Sequence, residues 1–159
     1  MSFNLQTTKL LVFVEAKVFP ANIQIISPLF CKTYDQSLTA EANGLDQVCG
    51  PGYRKSLEFL VKDYLVGYRY KDAPEKQNEV RKAFLGPVID KHFDQVKIKE
   101  CAKRAAWLGN DETHYTRKWE TKDINDLKSL IMMTVNHIDL DVESDRYLLE
   151  MPAEGPKPS

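Results

Sequence analysis

Hydrophobic and polar positions follow two different periods along the chain, and the points where the period changes mark its elements. Residues 8–19 and 22–27 are dense in Val, Ile, Leu and Phe, with a break at Pro20-Ala21-Asn22. Ile23, Ile25 and Ser27 partly alternate with Gln24 and Ile26. Short runs of β-branched and aromatic residues on either side of a proline break read as two strands. Residues 1–27 are therefore expected to form a short N-terminal β-hairpin, which needs helices or a second chain to pack on, because a lone hairpin is marginal in water.

From residue 28 onward the period is helical. Ser27-Pro28 reads as an N-cap followed by proline at the first helical position, where the missing N–H costs nothing. Phe30, Tyr34, Leu38 and Ala42 then recur every fourth residue, and Gly44 supplies a left-handed stop. A second helix begins near Asp46 or Pro51 and runs to about Tyr70, with Tyr53, Leu57, Leu60, Val61, Tyr64 and Tyr68 as its apolar stripe. Gly50 and Gly52, near its start, allow close approach of another segment.

Residues 71–78 form a polar connection containing Pro74, and a short helix is expected through Phe84, broken at Gly86-Pro87. A second short piece covers Val88 to Phe93. Asp94 reads as the N-cap of a helix whose inner face is Ile98, Cys101, Ala102, Ala105 and Leu108, ending at Gly109-Asn110. The last long helix is expected from Lys122 or Asp123 to His137, with Ile124, Leu127, Ile131, Val135 and Ile138 on one face. The whole reads as a mainly α protein, an antiparallel helical bundle with about 50–60% helix. Residues 1–150 form one domain: the hairpin, a bundle over 28–139 and a C-terminal extension over 140–150. The three prolines of residues 151–159 mark a disordered tail.

Composition changes this picture little. The length of 159 residues suits one domain with a real core, and 43% hydrophobic with 28% charged residues is ordinary for a globular chain. The formal net charge of −1 excludes a generic polyanion binder. Residues 91–122 are mildly basic, with eight Lys/Arg against five Asp/Glu. No secretory leader is apparent, since Leu10-Leu-Val-Phe-Val14 is cut short by Glu15 and Lys17 and has no basic lead-in. No apolar run approaches the ~20 residues of a membrane span. Cys31, Cys49 and Cys101 are odd in number and lack a Cys-x-x-Cys spacing, so they suggest neither a disulfide framework nor a zinc ribbon. They fit small apolar residues of a cytoplasmic protein, and no cofactor or metal is expected.

Chemistry-bearing residues concentrate in one stretch, Trp107-Leu-Gly-Asn-Asp-Glu-Thr-His-Tyr-Thr-Arg-Lys-Trp119, which holds both tryptophans of the chain. His114 can move protons near neutral pH, and Arg104, Arg117 and Lys118 can meet phosphate. Trp107, Tyr115 and Trp119 can stack on a base. Each also has a plainer reading. Asn110 and Asp111 terminate a helix, and His114 ties the loop to a backbone carbonyl. The tryptophans seal a core edge, and the basic residues, with Lys97, Lys99 and Lys103, form a solvated face. Arg54 is expected to cross to Asp111 or Glu112 as an ion pair.

Two motifs together carry a resemblance. Gly50-Pro-Gly-Tyr-Arg-Lys-Ser-Leu-Glu-Phe-Leu-Val-Lys-Asp-Tyr64, followed by Lys103-Arg-Ala-Ala-Trp-Leu-Gly-Asn-Asp-Glu-Thr-His-Tyr115, resembles the bacterial and phage family called domain of unknown function 4145. That family is similar to the HEPN (higher eukaryotes and prokaryotes nucleotide-binding) superfamily. The resemblance implies an antiparallel helical bundle, frequent homodimers, and roles in phage or bacterial defence, where nuclease members cleave RNA without metal. Those members place an Arg shortly before a His, with a polar residue in between. His114 and Asn110 match the latter two, whereas the positions where the Arg would stand, Trp107, Leu108 and Gly109, carry none. The first expectation is therefore a non-catalytic module that binds a nucleotide, an RNA or a partner protein, with Arg54, Arg104, Trp107, Asp111, Tyr115, Arg117, Lys118 and Trp119 as ligand-binding residues. The alternatives are a ribonuclease with His114 and Asn110 as catalytic residues and its positive charge from Arg54, Arg104, Arg117 or a partner subunit, and a structural subunit of a larger assembly.

Overall fold

A computed structural model describes residues 10–156 and 158–159 of the chain. Among the described residues seven helices follow one another: α1 Ala21–Ile26, α2 Pro28–Ala42, α3 Asp46–Tyr64, α4 Pro74–Lys82, α5 Leu85–His92, α6 Val96–Asp111 and α7 Ile124–Glu150. About 70% of the chain is helical and no strand occurs among the described residues. α3 continues as a wider π turn over Leu65–Arg69, closed by the Tyr70 N–H donating to the Leu65 carbonyl at 2.8 Å. No helix is long and apolar enough to cross a membrane among the described residues.

The expected N-terminal hairpin is not formed. Residues 10–19 carry no regular structure and 21–26 are helical, while residues 1–9 lie outside the described residues. Tertiary contacts override the β-preference of the isoleucines. The Pro20 carbonyl accepts the N–H groups of Ile23 and Gln24, which starts a helical turn. Ile23 is then fully buried, and the Asn22 amide reaches across to Asp139 and Glu143 of α7 at 2.8 Å each.

Residues 10–20 form an arm held on α2 by polar hooks. The Val12 N–H donates to Asn43 Oδ1 at 2.8 Å, Asn43 Nδ2 donates back to the Val12 carbonyl at 2.6 Å, and the Lys17 N–H donates to Asp35. Phe19 ends the arm inside the core, tilted against Phe30 and edge-on to Tyr34.

Several helix boundaries are set as the sequence suggests. Ser27 caps α2 by accepting the Phe30 N–H, and its own hydroxyl donates to Asp63 at 2.5 Å. Burial pushes the Asp63 carboxyl up, against the lowering effect of that bond. Gly44, at φ 69°, makes the left-handed turn that follows α2. Asp123 and Asp126 form a reciprocal capping box at the start of α7.

Others differ. Gly86-Pro87 opens α5 instead of breaking a helix, because a proline in the first turn loses no hydrogen bond. The cap of α6 is Gln95, not Asp94, and its side chain makes no capping bond. α7 runs well past His137, to Glu150.

Two helical hairpins, α2/α3 and α6/α7, make the bundle, with α3 packing on both α6 and α7. One core joins them, built on Phe30, Tyr34, Tyr53, Leu57, Leu60, Leu127, Ile131 and Ile138, all at most 1% exposed. At its rim the Tyr53 hydroxyl donates to Glu41 at 2.5 Å, and Lys128 of α7 pairs with the same carboxylate at 3.0 Å. Burial and that bond raise the Tyr53 hydroxyl, and burial pushes Tyr34 up to about 12. Of the cysteines, Cys49 is buried and Cys31 and Cys101 are half-buried; all three are free thiols.

Candidate functional site

The segment between α6 and α7 is organised by one carboxylate. Asp111, the last residue of α6, is only 4% exposed, and its Oδ2 accepts the backbone N–H groups of Lys118 at 3.0 Å and Trp119 at 2.7 Å. A negative charge at a helix C-terminus opposes the helix dipole. Its place there is explained by the loop it folds back. Arg117 adds a second tie, pairing with Glu112 at 3.0 Å and donating to the Lys122 carbonyl at 2.9 Å.

This fold-back lays Trp119 over Trp107. The two indoles are parallel within 2°, with centroids 6.0 Å apart. The Arg104 guanidinium lies 5.2 Å from the Trp107 ring, within cation–π range, and is held by the Glu100 carboxylate and carbonyl at 2.9 Å.

Three clefts meet at Trp107. The first, about 330 Å³ and mostly apolar, lies between Trp107, Trp119, Leu130 and Met133, with Arg104 and Lys122 at its edge. The second, about 300 Å³, gathers Asn110, Asp111, His114 and Lys118 beneath the two tryptophans. The third, about 780 Å³, is broad and open between α3, α5 and α6, and Arg54, Asn110 and His114 all line it.

Arg54 does not reach Asp111 or Glu112 as expected. Its Nε donates to Asn110 Oδ1 at 2.9 Å and its NH1 to Glu58 at 2.7 Å. Burial pushes the Glu58 carboxyl up, but the bonds from Lys62 and Arg54 outweigh it and hold it below the usual range. Gly109 explains the redirection. It is helical instead of ending α6, and a side chain there would meet Arg54 Cγ at 2.6 Å, so its absence lets α3 and α6 close together. Gly50 serves the same end, since a Cβ there would collide with Glu112.

The ring of His114 is exposed and makes no hydrogen bond among the described residues, so the loop is not tied through it. Only its backbone N–H is engaged, by the Asp111 carbonyl at 3.4 Å. Tyr115 is fully exposed and lines none of the three clefts, and neither does Arg117, which is spent on the loop. The remaining expected residues converge: Trp107, Asn110, Asp111, His114, Lys118 and Trp119 share one cleft, Arg104 joins the tryptophans in another, and Arg54 meets Asn110 and His114 in the third.

Sequence reasoning did not reach Lys122, Asp126, Ser129, Leu130 and Met133, which complete the apolar cleft from the first turns of α7. Only the hairpin geometry, which sets the start of α7 beside the end of α6, brings them there. No group of three or more His, Cys, Asp or Glu side chains is placed to hold a metal ion among the described residues. Set against known proteins, the chain matches no family model, no curated protein and no solved structure.

Proposed function

We propose that the chain is a non-catalytic, HEPN-like binding module, homodimeric and acting in phage or bacterial defence, that holds the base of a nucleotide or of single-stranded RNA at the Trp107–Trp119 pair. One observation carries this reading: a mostly apolar cleft of about 330 Å³ walled by two indoles, with Arg104 and Lys122 at its rim. A flat apolar slot takes a base, and cations beside it take phosphate. The exposed face of Trp119 offers a further stacking surface.

The test is equilibrium binding of fluorescent mononucleotides and short single-stranded RNA to wild type and to Trp119→Ala. Loss of one stacking platform is expected to weaken binding by about 1–3 kcal/mol, roughly 5- to 150-fold. Equal affinity of both proteins, or no binding by wild type at millimolar ligand, refutes the reading.

A second reading, a metal-independent ribonuclease, draws support from the third cleft, where Arg54 stands near Asn110 and His114 without the sequence spacing requiring it. Two bonds already hold Arg54, and the His114 ring has no orienting partner, which favours binding over catalysis. Cleavage of a mixed RNA pool by wild type but not by His114→Ala reverses that preference.

A further inference from the structure

The cleft of the two tryptophans has one polar wall, whose chemistry is narrower than base stacking alone requires. Asp126 and Ser129, three apart on α7 and so on one face of that helix, line the cleft together with Trp107 and Trp119. Among the described residues Asp126 is the one carboxylate there. A residue that does not line the cleft fixes its orientation: Oδ2 accepts the Asp123 N–H at 3.0 Å as half of the capping box. Oδ1 has only Lys122 Nζ near it, at 3.9 Å, which is too far for a hydrogen bond. The side chain is 41% exposed, so it is open to a ligand in the cleft.

An ionised carboxylate only accepts, through two oxygens side by side, and Oδ2 keeps a second lone pair beyond the one its cap uses. A flat ring stacked on the indoles meets it best with two adjacent N–H donors. Among the RNA bases guanine alone has that pair, N1–H and N2–H, on its Watson–Crick edge. Adenine and cytosine set a ring-nitrogen acceptor beside a single amino group, and uracil flanks its one N–H with two carbonyls. Each of these turns a lone pair toward the carboxylate, which repels it. A guanidinium carries the same twin donor as guanine, but Arg104 and Lys122 at the rim repel a cation and suit the phosphate of a nucleotide.

We propose that the Trp107–Trp119 slot selects guanine and that Asp126 is its specificity-determining residue, an assignment that rests on the base-stacking function proposed above. The indoles hold the base by its faces, Asp126 accepts N1–H and N2–H, and Arg104 or Lys122 meets the phosphate. The capping box holds the carboxylate in place before any ligand arrives, so little side-chain freedom is lost on binding.

The experiment is calorimetric titration of the full chain with GMP, IMP, AMP and arginine amide, for wild type, Asp126→Asn and Trp119→Ala, with thermal melts to check that both variants fold. Wild type is expected to bind GMP at least about tenfold more tightly than AMP or than IMP, which lacks only the 2-amino group. In Asp126→Asn the amide oxygen keeps the Asp123 N–H, so the NH2 group faces the slot, opposes the guanine donors and suits the adenine ring nitrogen. Affinity for GMP is then expected to fall about tenfold while that for AMP holds or rises, a reversal that a capping role alone does not produce. If wild type binds the three nucleotides equally and Trp119→Ala weakens all of them, the base slot stands and the guanine assignment falls. It falls also if Asp126→Asn keeps the wild-type preference, or if arginine amide binds better than GMP. No binding of any nucleotide at millimolar concentration refutes the base slot itself, and the assignment with it.

Discussion

The two helical hairpins of this bundle are closed in opposite ways. Between α2 and α3 the chain reverses in three residues, Asn43–Leu45, closed mainly by backbone bonds, with the Asn43 amide adding a bond to the Thr39 carbonyl. The Leu45 N–H donates to the Ala40 carbonyl and the Gly44 N–H to the Glu41 carbonyl, with Gly44 in the left-handed region. This is the Schellman closure, made by backbone groups. Between α6 and α7 the reversal takes residues 112–123, nearly all exposed, and rests on Asp111, the Arg117 ties and the tryptophan stack. A turn closed by backbone spends its residues on the fold. One closed by side chains can present others to solvent, and binding residues gather on loops fixed to a rigid scaffold for that reason.

The contrast breaks most severely if the scaffold under both hairpins is weakened. Leu57 of α3 and Leu127 of α7 are fully buried. Leu57→Ala and Leu127→Ala are each expected to cost about 2–5 kcal/mol, the usual range for a buried leucine cut back to alanine. Chemical denaturation measures it, and losses below about 1 kcal/mol at both sites contradict the core described for these helices.

A smaller effect sharpens the contrast at the long loop. Asp111→Ala removes the acceptor for two backbone N–H groups, at a cost of about 1–3 kcal/mol, lessened by roughly 0.3–1 kcal/mol as an unfavourable charge leaves the helix end. The more telling readout is optical. With the fold-back undone, Trp119 leaves Trp107, so tryptophan emission should change in the native state, well below the melting transition. Unchanged emission means that the stack holds without the carboxylate.

The same contrast separates what the sequence made legible from what it hid. Ser27-Pro28, the stripe from Tyr53 to Tyr64, and Gly44 were readable because each is a local signal with a local cause. The short Ile23–Ile26 run was not: its helical state depends on Asn22 meeting α7 more than a hundred residues away. Gly109 looked like a stop, but it is a place of close approach to Arg54, and only the packing of α3 on α6 reveals that. α7 seemed to end at His137 because the core-facing period ends near there, while the helix continues with an apolar face turned outward. In the site, the residues that gather on Trp107 were largely foreseen from their density in one stretch. The identity of the loop anchor was not, because Asp111 and His114 are equally polar on paper and only burial distinguishes them.

That distinction is tested by the smallest of these effects. His114 lies three residues after Asp111, yet its ring is exposed and takes no part in holding the loop. An exposed side chain without partners contributes little to the folded state, so His114→Ala should change stability by no more than about 0.5 kcal/mol. Beside Asp111→Ala, under the same denaturant titration, it serves as the matched control: same loop, same deletion to alanine, opposite burial. The tryptophan emission of His114→Ala should also match wild type, since the indole stack depends on the Lys118 and Trp119 amides and not on the imidazole. If His114→Ala instead costs as much as Asp111→Ala, the ring anchors the segment after all.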